Sequence, residues 1–490
     1  MTLLTLCLYI AIAAAILTAL IGFLKRELVK NWLMSFLQNF AGTLFIISGL
    51  VKAVDPLGTA YKMEQYFAEF AYTFQETALS FIAPVFPFLS SISVVFSVAM
   101  IIFEIILGVA LLLGSKPKLT SWAFLLLVVF FTMLTGFTFL TGYVPSGVNF
   151  FSFSEWGPYT PSNMRVTDCG CFGDFIKLEP KISFFKDLVL LIPSIFFVFR
   201  HRDMHQLFTA RMRSIVLWAA TALLFVFCLR NYYLGLPVVD FRPFKIGNDL
   251  YHMKTAEEEA AASVRILSME LKNNHTGEEK SVPYDEYMQN WESYPKEVWT
   301  VVDKIMTKPA IEKTKVSDFS VEHPDGYDVA EDILTDEGDV FLIIAHKLKG
   351  DSYTEEVMVP DTVWRTDTIV ISPDSVLTVQ SISQIGTRRE VKVNYSWNDQ
   401  YVKLYTSKVN PLMDAVMSQG AKVYAIGGGA GSEKLAAFRQ AIGGTYDWYE
   451  ADDILLKTII RSNPGVVHLK AGKVMNKWHI RNLPRHIQLN

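Results

Sequence analysis

Apolar residues crowd the first 235 positions of this 490-residue chain, and polar ones take over after Leu236. Six runs in the apolar part are long enough to cross a bilayer as helices: 2–23, 37–54, 90–114, 119–142, 184–200 and 213–232. Beyond Leu236 the pattern shortens. Ser263–Leu271 and Glu279–Tyr284 flank Asn-Asn-His-Thr-Gly as a small hairpin would. From about Asp318, strand-like runs at 341–345, 422–426, 446–450, 466–469 and 473–478 alternate with helix-like runs at 411–419, 432–442 and 452–462. A polar, β-prone insertion at 351–406 interrupts them. The fold class that follows is a membrane α-helical bundle of about six transmembrane helices, followed by a soluble α/β domain. Its divisions are an N-terminal helix in 1–33, a bundle in 34–236, a connector in 237–316 and the α/β domain in 317–490.

Charge sets the expected orientation. Lys25, Arg26 and Lys30 follow the first apolar run and no basic residue precedes it, which argues against a cleaved signal and for an outward N-terminus. Lys116, Lys118, Arg200, Arg202, Arg211 and Arg213 fall on the same side as Lys25, making that side cytoplasmic. Six crossings return the C-terminal domain to the outside. The long outer loops are poor in Lys and Arg; the first carries Asp55, Glu64, Glu69 and Glu76. A net charge of −4 without a basic run excludes nucleic acid as a partner.

The chemistry centres on four cysteines, Cys7, Cys169, Cys171 and Cys228. Cys169 and Cys171 lie in Asp168-Cys169-Gly170-Cys171-Phe172-Gly173-Asp174, between two apolar segments. Their α-carbons are at most about 7 Å apart in extended chain, so a bend at Gly170 would close a strained, readily reduced disulfide. Such a pair exchanges with a partner's thiols or serves as a permanent staple. No nearby Cys or His pair completes a tetrahedral metal site. Cys7 and Cys228 fall at similar depth in the first and sixth helices, either as a second pair relaying electrons to a quinone or as small apolar filler.

Glu104 lies within an apolar run, where a carboxylate must be protonated, paired or turned to an interior cavity. That position suits proton handling, quinone contact or a hydrogen bond between helices. Lys52 is the nearest opposite charge in the pattern, but it sits near a helix end at a different depth and is expected to snorkel. The aromatic, amphipathic stretch Tyr61–Phe70, with Tyr72 and Phe74, suits a helix on the outer membrane surface or along the approach to the thiols. Gly427–Gly431 lacks the ending of a phosphate loop and is expected to be a turn. His201 and His205 have ligand spacing but no third ligand, and belong to the basic flank.

Several stretches carry a family resemblance. Ser48–Pro56, Glu104–Gly108 with Leu111–Gly114, and Cys169–Gly173 resemble the DoxX and MauE-like (methylamine utilisation) membrane proteins, especially those of Bacteroidetes; Leu236–Gly247 resembles the segment that follows the membrane part there. The likeness spans about residues 34–247, and the helix at 2–23 is additional to the family's four- or five-helix pattern. Residues 318–490 are similar to a thioredoxin-like domain, with Ser462-Asn463-Pro464 in the place of the cis-proline turn. The active-site Cys-x-x-Cys is missing, so thiol exchange within this domain is excluded. The MauE resemblance implies the redox maturation of a disulfide-containing periplasmic partner. Cys169 and Cys171 would be the exchanging pair, Cys7, Cys228 and Glu104 accessory groups, and a quinone the candidate cofactor. Membrane thiol-disulfide oxidoreductase activity stays open beside a non-catalytic envelope anchor whose C-terminal domain is a binding module. A transporter centred on Glu104 ranks last, for want of paired broken helices.

Overall fold

A bilayer leaves a backbone no solvent partner, so each apolar run closes its hydrogen bonds within a helix. The computed structural model describes residues 2–75, 77–166, 170–372 and 375–489 and divides into two compact units, Met1–Lys245 and Ile246–Asn490.

The first unit contains α1 (Leu3–Leu24), α2 (Trp32–Val54), α3 (Pro56–Gln75), α4 (Val85–Ser91), α5 (Ser93–Leu113), α6 (Pro117–Leu140), α7 (Pro180–Arg200) and α8 (Ala210–Leu229). Among the described residues, α1, α2, α5, α6, α7 and α8 are the six helices long and apolar enough to span a membrane. Their starts are set by capping polar residues and by prolines, most of them outside the apolar runs. Thr2, Asn31 and Thr209 accept the N–H of Thr5, Met34 and Met212, and α6 and α7 open on Pro117 and Pro180. Hence α2 and α7 begin a turn or more before hydropathy places them. At the end of α5, Gly114 turns the chain at φ 64°. A Cβ there would lie 1.8 Å from the His205 carbonyl oxygen.

Helices α2 and α5 run antiparallel in close contact. Gln38 donates to the Leu111 carbonyl at 2.6 Å near one end, and Ser97 donates to the Pro56 carbonyl at 2.8 Å near the other. Between them a Cβ on Gly108 would sit 2.7 Å from the Gly42 carbonyl oxygen, so the helices meet backbone to backbone. The amphipathic stretch after α2 forms α3; its Met63, Tyr66 and Phe67 are buried with Leu134 and Phe137 of α6. That face is therefore packed against protein.

The second unit begins with α9 (Leu250–Ala262), β1 (Ile266–Asn273), β2 (Glu279–Pro283), α10 (Tyr284–Gln289) and β3 (Trp299–Met306). The antiparallel sheet β2-β1-β3 contains the expected hairpin. The sequence pattern did not signal β3, whose residues are almost all exposed and carry no buried alternation. The chain continues through α11 (Ala330–Thr335), β4 (Asp339–Ala345), β5 (Gly350–Ser372), β6 (Ser375–Trp397), α12 (Asp399–Leu404), α13 (Asn410–Met417), β7 (Lys422–Gly428), α14 (Ser432–Ile442), β8 (Asp447–Ala451), α15 (Asp453–Ile459), β9 (Gly465–Lys470) and β10 (Lys473–His479).

Five of these strands form one sheet in the order β10-β9-β4-β7-β8. β4, β7 and β8 are parallel, whereas β9 is antiparallel to β4 and β10. As the central strand, β4 is buried from Val340 to Ala345, which is why that run is continuously apolar. Phe341, Tyr405, Met413, Phe438 and Trp448 build the core on one face. The expected insertion is a two-stranded ribbon, β5 paired with β6 from Gly350 opposite Trp397 outwards. The Asn463–Pro464 peptide is cis. The architecture is thus a helical membrane part followed by an α/β part.

Gly108→Ala should lower the stability of the first unit by about 1–3 kcal/mol, the usual cost of overpacking. Gly386→Ala, whose Cβ would meet nothing nearer than 3.9 Å, should be neutral. Thermal unfolding of the two variants in detergent distinguishes them; equal melting temperatures would overturn the close-contact argument.

Candidate functional site

A partly open cavity of about 60 Å3 lies within the first unit, room for a few water molecules. Its wall includes Ser48 and Lys52 of α2, Thr59, Lys62, Met63 and Tyr66 of α3, Glu104 of α5, Thr135 of α6, Lys186 and Asp187 of α7, and Gly170, Cys171 and Phe172 of the loop before α7.

Two ion pairs face this space, the first buried and the second part-buried. Lys52 Nζ donates to both oxygens of Glu104, at 3.0 and 2.7 Å, and these residues are 7% and 3% exposed. The ammonium also lies 5.1 Å from the Phe131 ring centroid, within cation–π reach. Lys52 does not snorkel. α5 begins farther along than α2 ends, as the Ser97–Pro56 bond shows, and this register brings the lysine's chain to the depth of Glu104. In the second pair, Lys186 Nζ donates to Asp187 Oδ1 at 2.6 Å, and Thr135 Oγ1 donates to Oδ2 at 3.0 Å. Removing one member of such a pair strands the other charge, at a cost of about 3–5 kcal/mol.

The cysteine loop is tied to the same helices. Ser48 Oγ donates to the Cys171 carbonyl at 2.9 Å. Gly170 and Gly173 both have positive φ, and the Gly173 N–H closes a turn on the Gly170 carbonyl at 3.1 Å. Cys171 lies inside that turn, partly buried beside Phe172. Burial pushes its thiol up from the ordinary value, and the Lys186 ammonium is the foremost opposing influence. A nearby wall hydrogen bond joins Tyr66 Oη and Thr138 Oγ1 at 2.8 Å.

Of the residues singled out in the sequence, Cys171 and Glu104 share this cavity. Cys169 lies outside the described residues. Cys228 is fully buried among Ala53, Val98, Ile101 and Ile105. Cys7 lies on α1, part-buried and outside the cluster that holds Cys228. The structure therefore does not gather Cys7 and Cys228 into one cluster. His205 is structural: its Nε2 lies 3.0 Å from the Leu112 carbonyl, its N–H bonds to Gln38, and burial pushes its pKa down. The Gly427–Gly431 run makes the strand-to-helix turn, with the Gly431 N–H 3.3 Å from a Glu450 carboxylate oxygen.

Lys186 and Asp187 were missed by the sequence reading. The signal was present: the rule that singles out Glu104 applies equally to them. With α7 expected to start at 184, they fall at its polar mouth; with the helix opening at Pro180 they stand nearly two turns inside.

Residues 30–147 match the family model described as Methylamine utilisation protein MauE. No curated protein and no solved structure matches the chain. The matched stretch holds α2 to α6, and with them Ser48, Lys52, Glu104 and Thr135, whereas the cysteine loop and α7 lie beyond it. With six helices long and apolar enough to cross a membrane, the chain is a multi-pass membrane protein that is similar to MauE over residues 30–147.

Proposed function

We propose that the bundle supports the thiol-disulfide maturation of a partner protein on the oxidising side of a bacterial inner membrane. Cys169 and Cys171 are the exchanging pair in this reading. The observation that carries it is the placement of Cys171 on a small cavity walled by two ion pairs, one buried and one part-buried. Ionisable groups inside apolar bundles are expensive to keep and cluster where protons or charges move.

The chemistry balances with a quinone as terminal oxidant. A partner dithiol gives two electrons to the Cys169–Cys171 disulfide, whose S–S bond breaks as one forms in the partner. The two protons leaving the partner's thiols end on Cys169 and Cys171. A bilayer quinone then takes two electrons and two protons from that dithiol and becomes a quinol. Glu104, Cys7 and Cys228 are the candidates to assist this second half.

The C-terminal part holds the partner in this proposal. Its three parallel strands followed by an antiparallel pair support a thioredoxin-like reading. The β5–β6 ribbon leaves β4 where the family's Cys-x-x-Cys would stand. Without a cysteine this part can dock a partner but cannot oxidise one.

Rapid acid quenching and alkylation of intact cells should reveal a partly reduced Cys169–Cys171 pair and mixed disulfides that vanish in Cys171→Ser. A uniformly oxidised, reductant-resistant pair would instead establish the non-catalytic anchor. A reporter fused after Asn490 should be active only in the periplasm; cytoplasmic activity would remove the oxidising compartment on which the reading rests.

A further inference from the structure

We infer that an open groove between the start of α6 and the connector from α7 to α8 holds the phosphate of an anionic lipid headgroup. Nothing in this depends on the thiol-exchange reading.

The groove measures about 580 Å3, and its wall carries Lys116, Lys118 and Leu119 at the start of α6 and His201, Arg202 and Gln206 in the connector. Polar bonds join the two walls. The Leu207 N–H donates to the Leu113 carbonyl at 3.0 Å, and Gln38 of α2 donates to the His205 carbonyl at 3.1 Å. Lys30 Nζ donates to the Arg202 carbonyl at 3.0 Å, which brings a fourth ammonium to the rim. The groove therefore has its shape before a ligand enters it.

Its charge is one-sided. No carboxylate lines it among the described residues. The connector's own acid, Asp203, is taken by Arg200, whose Nε donates to it at 2.6 Å. Lys116, Lys118 and Arg202 are exposed, and none of them forms an ion pair among the described residues. Orientation alone asks only for cations somewhere on this flank, a demand that Lys25, Arg26 and Arg211 meet without lining the groove. Two lysines and an arginine converging on one space suit a phosphate, which accepts several charge-assisted hydrogen bonds at once. A zwitterionic headgroup would bring an ammonium that finds no counter-charge here.

The surroundings point to a lipid as the source of that phosphate. α6 and α7 are both long and apolar enough to span a membrane, and Phe124 packs on Phe197 at 5.6 Å between ring centroids, so the start of one lies beside the end of the other. The groove thus sits where two spanning helices leave the apolar layer, the level of lipid phosphates. Below it, Leu119, Trp122 and Leu126 are exposed along one face of α6, and Phe199 is exposed near the end of α7. Acyl chains attached to a phosphate in the groove would cover such a surface.

The test is a titration of the full-length protein in neutral detergent with phosphatidylglycerol, read by native mass spectrometry at about 0.15 M salt, where charges beyond about 8 Å are screened. Each cation at a lipid phosphate is worth about fivefold in affinity, so Lys118→Gln should weaken binding by about that factor and the combined Lys116→Gln, Lys118→Gln and Arg202→Gln by on the order of a hundredfold. Lys25→Gln, Arg26→Gln and Arg211→Gln together remove the same charge from the same flank and should stay within about twofold of the parent. These side chains are exposed, and equal melting temperatures of the variants in lipid-free detergent would show that the fold is kept. Equal weakening by the two triple variants would overturn the site, and so would equal binding of phosphatidylcholine. Displacement of phosphatidylglycerol by an equal concentration of inorganic phosphate would overturn the lipid as its ligand in favour of a soluble anion.

Discussion

A charge inside an apolar bundle must find its counter-charge, and the first unit is arranged around that demand. Lys52 can reach Glu104 only if α2 and α5 lie close and in one register. The closeness comes from Gly42 and Gly108, whose missing side chains let the backbones touch. The register is fixed by polar bonds at both ends, Gln38 to Leu111 and Ser97 to Pro56. Glycines, end bonds and ion pair therefore form one device. Asp187 imposes the same demand on α6 and α7, met by Lys186 and Thr135.

This explains how far the sequence could be read. Six spans were legible because hydropathy is a property of each segment alone. Their N-terminal limits were not, since caps such as Asn31 and openings such as Pro180 lie outside the apolar runs. Glu104 stood out as one carboxylate in a long run. Its partner did not, because pairing Lys52 with it requires the offset between α2 and α5, a tertiary quantity. Cys171 was visible as part of a motif, while Ser48, which holds its carbonyl, is one hydroxyl among many on the apolar helices.

The second unit follows a different rule. Its strands were legible where burial on both faces makes them continuously apolar, as in β4, or where β9 and β10 flank a tight turn. β3 escaped because an exposed edge strand needs no apolar pattern. The ribbon is the extreme case: β5 and β6 are 23 residues each and satisfy their backbones on one another rather than on a core. Its root is anchored where Trp397 packs edge-on against Phe438. Alternation along such a ribbon carries no inside or outside to report.

Ser48 and Lys52 stand four residues apart on α2, and side chains at that spacing share a helix face. One bonds the cysteine loop and the other bonds Glu104, so loop position and buried charge are referred to the same turn of helix. From the far side, Lys186 and Asp187 wall the same cavity on α7, the helix into which the cysteine loop leads. Moving the loop outward would break the Ser48 bond and open the cavity further to water, weakening the electrostatic interactions inside it. The thiol and the four charges thus gain or lose their low-dielectric surroundings together. A single hydroxyl contact from α2 makes the loop's position and the electrostatics of the cavity one coupled property.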